Sequence, residues 1–238
     1  MIVVIGGSSV IGRELVRRLA QRAGEVVIFT YHTKEEEAKR LARDLQEEGK
    51  LAFCQHLDGR DEQGVQSFFE GIKPYGQLKA VIHVMGKSHY GLLQEMTYLQ
   101  WQELLITNLS SAFLVAKEAI KLMLPQKKGH LIFFSSIWGE AGASHEVAYS
   151  ASKGGLNAMV KALAKELAPS HILVNAISPG PVDTPMLDAL GEDKAEVMEA
   201  MVLGRLVEPS DLAHLVAYLV DAEMITGQII TMDGGYLR

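Results

Sequence analysis

The sequence is short of several things, and each shortage closes a route. Its single cysteine, Cys54, leaves no intrachain disulfide; it lies in a strand-like run, LAFCQHL, as a buried thiol would, and suits a reducing interior. No apolar run approaches the ~20 residues that a membrane-spanning helix needs. IVVI follows Met1 at once, without the charged leader and apolar core of a secretory signal, so a soluble, cytoplasmic protein is expected. Positive charge is not in surplus: 23 Lys and Arg face 29 Asp and Glu, a net charge of −6. Nucleic acid is therefore not an expected partner, and no metal site is expected either. No low-complexity linker or composition break divides the 238 residues, of which 48% are hydrophobic, so a single domain over 1–238 is expected.

What is present is an alternation. Short β-type runs (IVVIG, VVIFT, LAFCQHLD, LKAVIHVMG, HLIFFSS, ILVNAIS, GQIITMDGG) are separated by longer stretches of helical period such as RELVRRLAQRAG and AYSASKGGLNAMVKALAKELA. Near-continuous apolar strands with intervening helices predict an α/β, Rossmann-type, doubly wound parallel sheet of about seven strands, with ligands at the strands' C-terminal ends.

At the first strand-to-helix junction stands VIGGSSVIGRE, residues 4–14. A helix beginning after a glycine turn offers free N–H groups and its positive dipole end to a pyrophosphate, and Gly6, Gly7, Ser8 and Gly12 let the backbone come close. Small residues also make ordinary strand-to-helix turns, so the loop alone decides little. AYSASKGG is sharper. Tyr149 and Lys153 are four apart at the start of an apolar helix, which puts a phenol and an ammonium on one face. At about 5 Å and an effective dielectric near 20, Coulomb's law gives roughly 3 kcal/mol in favour of the phenolate, enough to bring a tyrosine from about 10 to about 8. The same stretch holds Ser150-x-x-Lys153, a nucleophile spacing of serine β-lactamases, but the partner elements of those enzymes are absent.

Taken together and in order, these segments resemble the short-chain dehydrogenase/reductase family from end to end, most closely its 3-oxoacyl-acyl-carrier-protein reductases. The family's Tyr-x-x-x-Lys pair falls on Tyr149 and Lys153, its active-site serine on Ser136 in FSSIWG, and its helix asparagine on Asn108 in ITNLSSAF. The resemblance implies that Ser136 holds the substrate carbonyl and Tyr149 donates the proton. It implies further that Lys153 lowers the Tyr149 pKa and holds the nicotinamide ribose, and that Asn108 fixes a water that refills the relay. It also implies cofactor contacts at Gly6, Ser8, Ser9, Ile11 and Gly12, at Asp58 in HLDGRD and at Gly86. Four more, Pro179, Gly180, Val182 and Thr184, lie in NAISPGPVDTPM, where Thr184 would hold the nicotinamide carboxamide.

The chain departs from the family's pattern in several places. The phosphate loop T-G-x-x-x-G-x-G has Ile5 and Val10 where a threonine and the middle glycine stand, and the N-N-A-G segment is HVMG, keeping Gly86. A branched Val10 in the pyrophosphate's path and Met85 against the adenosine predict a weakened but working site. In IFTYHTK, Thr30 replaces the carboxylate that would grip an NAD ribose, while His32 and Lys34 suit a 2'-phosphate, although Ser9 replaces a basic residue; NADP(H) is expected over NAD(H). The expected activity is reduction of a 3-oxoacyl thioester, with another ketone or alcohol, or a non-catalytic nucleotide-responsive scaffold, as the alternatives. Acyl carrier protein would dock through Lys127 and Lys128, with His171 where an arginine is often found, and the family's habit predicts a homotetramer. A substrate lid is expected over 186–206, with an apolar pocket from Met186, Leu187, Met198, Met201, Trp138 and Tyr90.

Overall fold

Strands with no polar face are stable only where helices cover both sides, and the seven apolar runs obey that rule. In the computed structural model, which describes residues 1–188 and 194–236, they form one parallel sheet in the order β3-β2-β1-β4-β5-β6-β7. The strands are β1 (Ile2–Ile5), β2 (Val26–Tyr31), β3 (Leu51–His56), β4 (Ala80–His83), β5 (Gly129–Phe134), β6 (Ile172–Pro179) and β7 (Ile229–Met232). β1 and β5 are buried at every residue, as their composition requires.

One face is covered by α1 (Val10–Ala20), α2 (Glu35–Glu47) and α10 (Pro209–Leu219), through a core that includes Leu15, Leu41, Phe29 and Val216. The other is covered by α3 (Glu62–Gly71), α5 (Ser111–Met123) and α7 (Val147–Leu167), around Phe68, Phe133, Val115 and Val160. α4 (Tyr98–Leu105) is started by a capping box between Thr97 and Gln100 and runs into a π turn, Ile106–Ser110, before α5 begins. Short helices α6 (Trp138–Ala141), α8 (Pro185–Asp188) and α9 (Lys194–Glu199) stand in the loops. The chain builds outward from β1 through β2 to β3 and then returns to place β4 on the other side of β1. That reversal opens a crevice beyond the C-terminal ends of β1 and β4.

Several expectations need correction. Residues 189–193 of the expected lid lie outside the described residues. Of the six apolar residues assigned to its pocket, Met186, Leu187 and Trp138 line the crevice. Met201 is buried in the core, Met198 packs against it, and Tyr90 stacks on His145 instead. These methionines are drawn inward because Val197, Leu206 and Val207 offer them an apolar bed. Lys127 and Lys128 precede β5, and His171 precedes β6, so all three stand at the N-terminal edge of the sheet, opposite this chain's own crevice. Parallel strands put every such turn on the edge away from the site. Among the described residues no helix is long and apolar enough to cross a membrane.

Candidate active site

The crevice is a cleft of about 450 Å³ with its floor at the ends of β1, β4 and β5. Its phosphate-loop end is built by backbone contact. Ser9 caps α1: its Oγ accepts from Gly12 N at 3.0 Å and donates to Gly6 O at 2.8 Å. Gly6 has φ of 85°, a conformation open to glycine, and its N–H donates to Thr30 Oγ1 at 3.0 Å. A Cβ on Gly12 would come within 2.3 Å of Gly6 O, so nothing larger than glycine fits there. Val10 has no such limit. As the first residue of α1 it is half-buried and borders both the cleft and a shallow outer groove with Arg13, Arg17 and Pro209.

Gly6, Ser8, Ser9, Ile11, His32, Gly86, Pro179, Gly180, Val182, Thr184, Ser136, Tyr149 and Lys153 all line the cleft, as do Thr33 and Lys34. Three of the expected residues do not. Gly12 is buried beneath the loop, and Asn108 is fully buried. Asp58 is held by Arg60, whose Nε and Nη2 donate to its two carboxylate oxygens at 2.9 and 2.8 Å. That fork brings the Asp58 carboxyl down to about 2. Met85 borders the cleft, but its sulfur leans toward Gly59, where a Cβ would meet it at 3.0 Å.

The reacting end gathers residues from four elements. Ser136 follows β5, Tyr149 and Lys153 share one face of α7, and Asn108 sits in the π turn. Lys153 Nζ donates to Phe134 O at 2.7 Å and lies 5.6 Å from the centre of the Tyr149 ring. Asn108 Nδ2 donates to Lys87 O at 2.8 Å and Ser152 Oγ at 3.0 Å, while its Oδ1 accepts from Lys87 N at 2.8 Å. One lone pair of Oδ1 is left over. The point beside Gly86 where a Cβ would sit is 3.7 Å from that oxygen and 3.4 Å from Lys153 Nζ, so the two face the same small space.

Burial overturns the expected acidity of Tyr149. Loss of water pushes the phenol up to about 12, against a smaller downward pull from the Ser136 hydroxyl, and it pushes Lys153 down to about 8. The attraction expected between the two charges is outweighed because both groups are desolvated, and the ammonium is directed at a carbonyl. Tyr149 is therefore a fully protonated phenol at neutral pH.

The chain matches the enoyl-(acyl carrier protein) reductase family over residues 6–237. It is 35% identical to the 3-oxoacyl-[acyl-carrier-protein] reductase of Aquifex aeolicus, covering 98% of this chain and 95% of that one. The chain belongs to the short-chain dehydrogenase/reductase family. Within it, the acetoacetyl-CoA reductase of an Acinetobacter strain is 34% identical, covering 98% of this chain and 95% of that one. An actinorhodin polyketide ketoreductase solved with NADPH superposes with a TM-score of 0.92 at 30% identity, covering 98% of this chain and 96% of that one. Short-chain dehydrogenases/reductases are oxidoreductases that use NAD(P), and this cleft fits such a group. The N-terminus of α1 opens onto the cleft beside Gly6, Ser8 and Ser9, and Gly12 beneath it packs against the loop backbone too closely for any side chain, which holds the turn in a form that can cradle a pyrophosphate.

Several residues of this short-chain dehydrogenase/reductase escaped sequence reasoning. His83 of HVMG is buried, with Nε2 3.0 Å from Ser111 Oγ, which in turn donates to Thr107 O in the π turn. Burial takes that imidazole down to about 3, so it is neutral. Glu146 and Tyr236 line the cleft and carried no motif. The burial of Lys153 has a sign that can be measured. Its ammonium is favoured in the unfolded chain, so stability is lost as pH falls from the unfolded value near 10.5 toward about 8. Calorimetric unfolding of the native protein and of Lys153→Met should show the native protein gaining on the variant as pH rises from 8 to 10, and a gap independent of pH would contradict the assignment.

Proposed function

We propose that the protein is a cytoplasmic, NADP(H)-dependent carbonyl reductase acting on 3-oxoacyl thioesters. The observation that carries this is the convergence of Ser136, Tyr149 and Lys153 on one wall of a cleft whose other end suits a pyrophosphate. When bound, the dinucleotide supplies the hydride. Ser136 Oγ donates to the ketone oxygen and fixes it beside the phenol. Tyr149, protonated at neutral pH, passes its proton to that oxygen as negative charge gathers there. Lys153, with Nζ near the ring and anchored on Phe134 O, stabilises the phenolate that remains. A water-sized group beside Gly86 would join Lys153 Nζ to Asn108 Oδ1 and return a proton.

The choice of NADP(H) is supported by the end of β2. The Thr30 hydroxyl is taken by Gly6 N, so no carboxylate meets the ribose there, and His32 and Lys34 border the cleft. Lys34 is within 3.7 Å of Glu37, an exposed pair that a 2'-phosphate exchanges at little cost. Thioester substrates are supported by the relatives that reduce 3-oxoacyl and acetoacetyl groups on acyl carrier protein or coenzyme A. Val10, a branched residue bordering the cleft where the family's loop has a glycine, favours a second reading, a nucleotide-responsive scaffold without turnover.

A homotetramer is supported by apolar side chains that the sheet does not use. Tyr98 and Leu99 are 73% and 74% exposed, and Phe113 on α5 and Val147 on α7 are exposed too.

Oxidation of NADPH and NADH with acetoacetyl-coenzyme A and a ketone panel tests the activity directly, and Tyr149→Phe should lower turnover by ~10²–10⁴ with dinucleotide binding nearly intact. Retention of more than about a tenth of native turnover would remove Tyr149 as the acid. Val10→Gly should tighten NADPH binding in calorimetric titration while lowering the melting temperature slightly, since glycine costs roughly 0.5–1 kcal/mol of backbone entropy. Unchanged affinity would mean that Val10 stays clear of the phosphates, and no binding by either protein favours neither reductase nor cofactor-driven scaffold. In sedimentation at micromolar concentration a tetramer is expected; a monomer would contradict the assembly.

A further inference from the structure

β7 ends at Met232, and the residues that follow deliver one aromatic ring to the cleft, that of Tyr236. Gly234 and Gly235 have φ of 60° and 73°, a conformation that glycine adopts freely. Tyr236 N donates to Asp233 O at 3.1 Å and closes the turn. The turn is strapped to the segment after α9: Leu203 N donates to Gly234 O at 3.0 Å, and Met201 pairs antiparallel with Tyr236. A Cβ on Gly234 would come within 2.9 Å of Met201 Cε, and one on Gly235 within 2.9 Å of Val202 Cβ, so the two backbones touch. Held in this way, the Tyr236 side chain lies against Trp138.

The two rings meet edge to face, with 5.9 Å between centroids and 78° between planes. Trp138 belongs to the reacting end of the cleft, since its backbone N–H donates to Ser136 Oγ at 3.2 Å. The aromatic pair therefore stands beside the hydroxyl that receives the ketone. Both rings are half-buried and line the cleft, as do Met186, which is 39% exposed, and Leu187. Apolar faces left open inside a cleft gain by being covered with hydrocarbon, in proportion to the area covered. A ketone fixed by its oxygen has two arms. In a 3-oxoacyl thioester one arm carries the bulky carrier and must leave by the mouth of the cleft, so the acyl tail is the arm that can cover these faces.

We propose that Trp138 and Tyr236 form a subsite for the hydrocarbon arm of the ketone, so that the protein selects 3-oxoacyl substrates of medium chain length over the shortest. Tyr236 is then a specificity-determining residue through its ring. The inference rests on the carbonyl-reductase reading.

The test is the ratio of kcat/KM for 3-oxooctanoyl-coenzyme A to that for acetoacetyl-coenzyme A, measured with the preferred dinucleotide in the native protein, Tyr236→Ala and Tyr236→Phe. The native protein should favour the longer chain by at least about tenfold, since each added methylene gains from burial. Tyr236→Ala should lower that ratio by about fivefold or more, and Tyr236→Phe, which keeps the ring, should stay within about threefold of native. Because each ratio is internal to one protein, a general loss of activity or folding in a variant does not mimic the effect. A native protein indifferent to chain length would overturn the proposal and leave the reductase reading in place, as would a ratio that Tyr236→Ala leaves unchanged. A fall in Tyr236→Phe as large as in Tyr236→Ala would assign the effect to the hydroxyl and overturn the role of the ring. Calorimetric titration of 3-hydroxyoctanoyl- and 3-hydroxybutanoyl-coenzyme A onto the dinucleotide-loaded protein reads the same preference without turnover. A protein that binds the longer thioester selectively, loses that preference in Tyr236→Ala and reduces neither ketone would lose the reductase reading and keep the subsite.

Discussion

An ammonium taken out of water must be given an acceptor, and the Phe134 carbonyl at the end of β5 is what Lys153 receives. Much of the site's architecture follows from that exchange. The carbonyl is available because β5 ends there. The lysine reaches it because α7 is drawn close to the β5 loop at Gly139, where a Cβ would come within 2.8 Å of the Lys153 backbone. Ser135, beside that carbonyl, binds Asn157 one turn further along α7 at 2.6 Å, which fixes the helix's rotation. With the helix so fixed, Tyr149 has one place to go, the cleft wall next to Ser136.

Electrostatics in this site is therefore governed by what water has been removed rather than by which charges are neighbours. The phenol is kept protonated and the lysine is poised to lose its proton, the reverse of what their spacing on a helix suggests. A neutral phenol is a loaded donor, and it becomes a useful one only when charge develops on the oxygen beside it.

The sheet was legible because its strands are apolar on both faces, a pattern that only covered parallel strands tolerate. Ser136, Tyr149, Lys153 and Asn108 were picked out by resemblance to the family's motifs, and the fold brings these residues near one another. What spacing could not convey was environment. Nothing in AYSASKGG says that Tyr149 and Lys153 are both dry, and nothing in HLDGRD says that Asp58 is engaged by its neighbour Arg60. PQKKGH reads as a basic patch, but its distance from the cleft depends on which edge of the sheet the turn occupies. Met201 and Met186 look alike in sequence, and the core claims the first while the cleft takes the second.

The π turn at Ile106–Ser110 carries a consequence for how the chain can change over time. Ser111 N reaches back to Ile106 O, so one residue more than an α-helix requires is held in that turn. An α-helix advances about 100° per residue, and deleting any one of the five would rotate α4 by about that angle against α5. Leu104, now in the core, would swing toward solvent, and Asn108 would part from Lys87. A one-residue deletion in this turn can thus be accommodated only by rebuilding both ends of the helix at once.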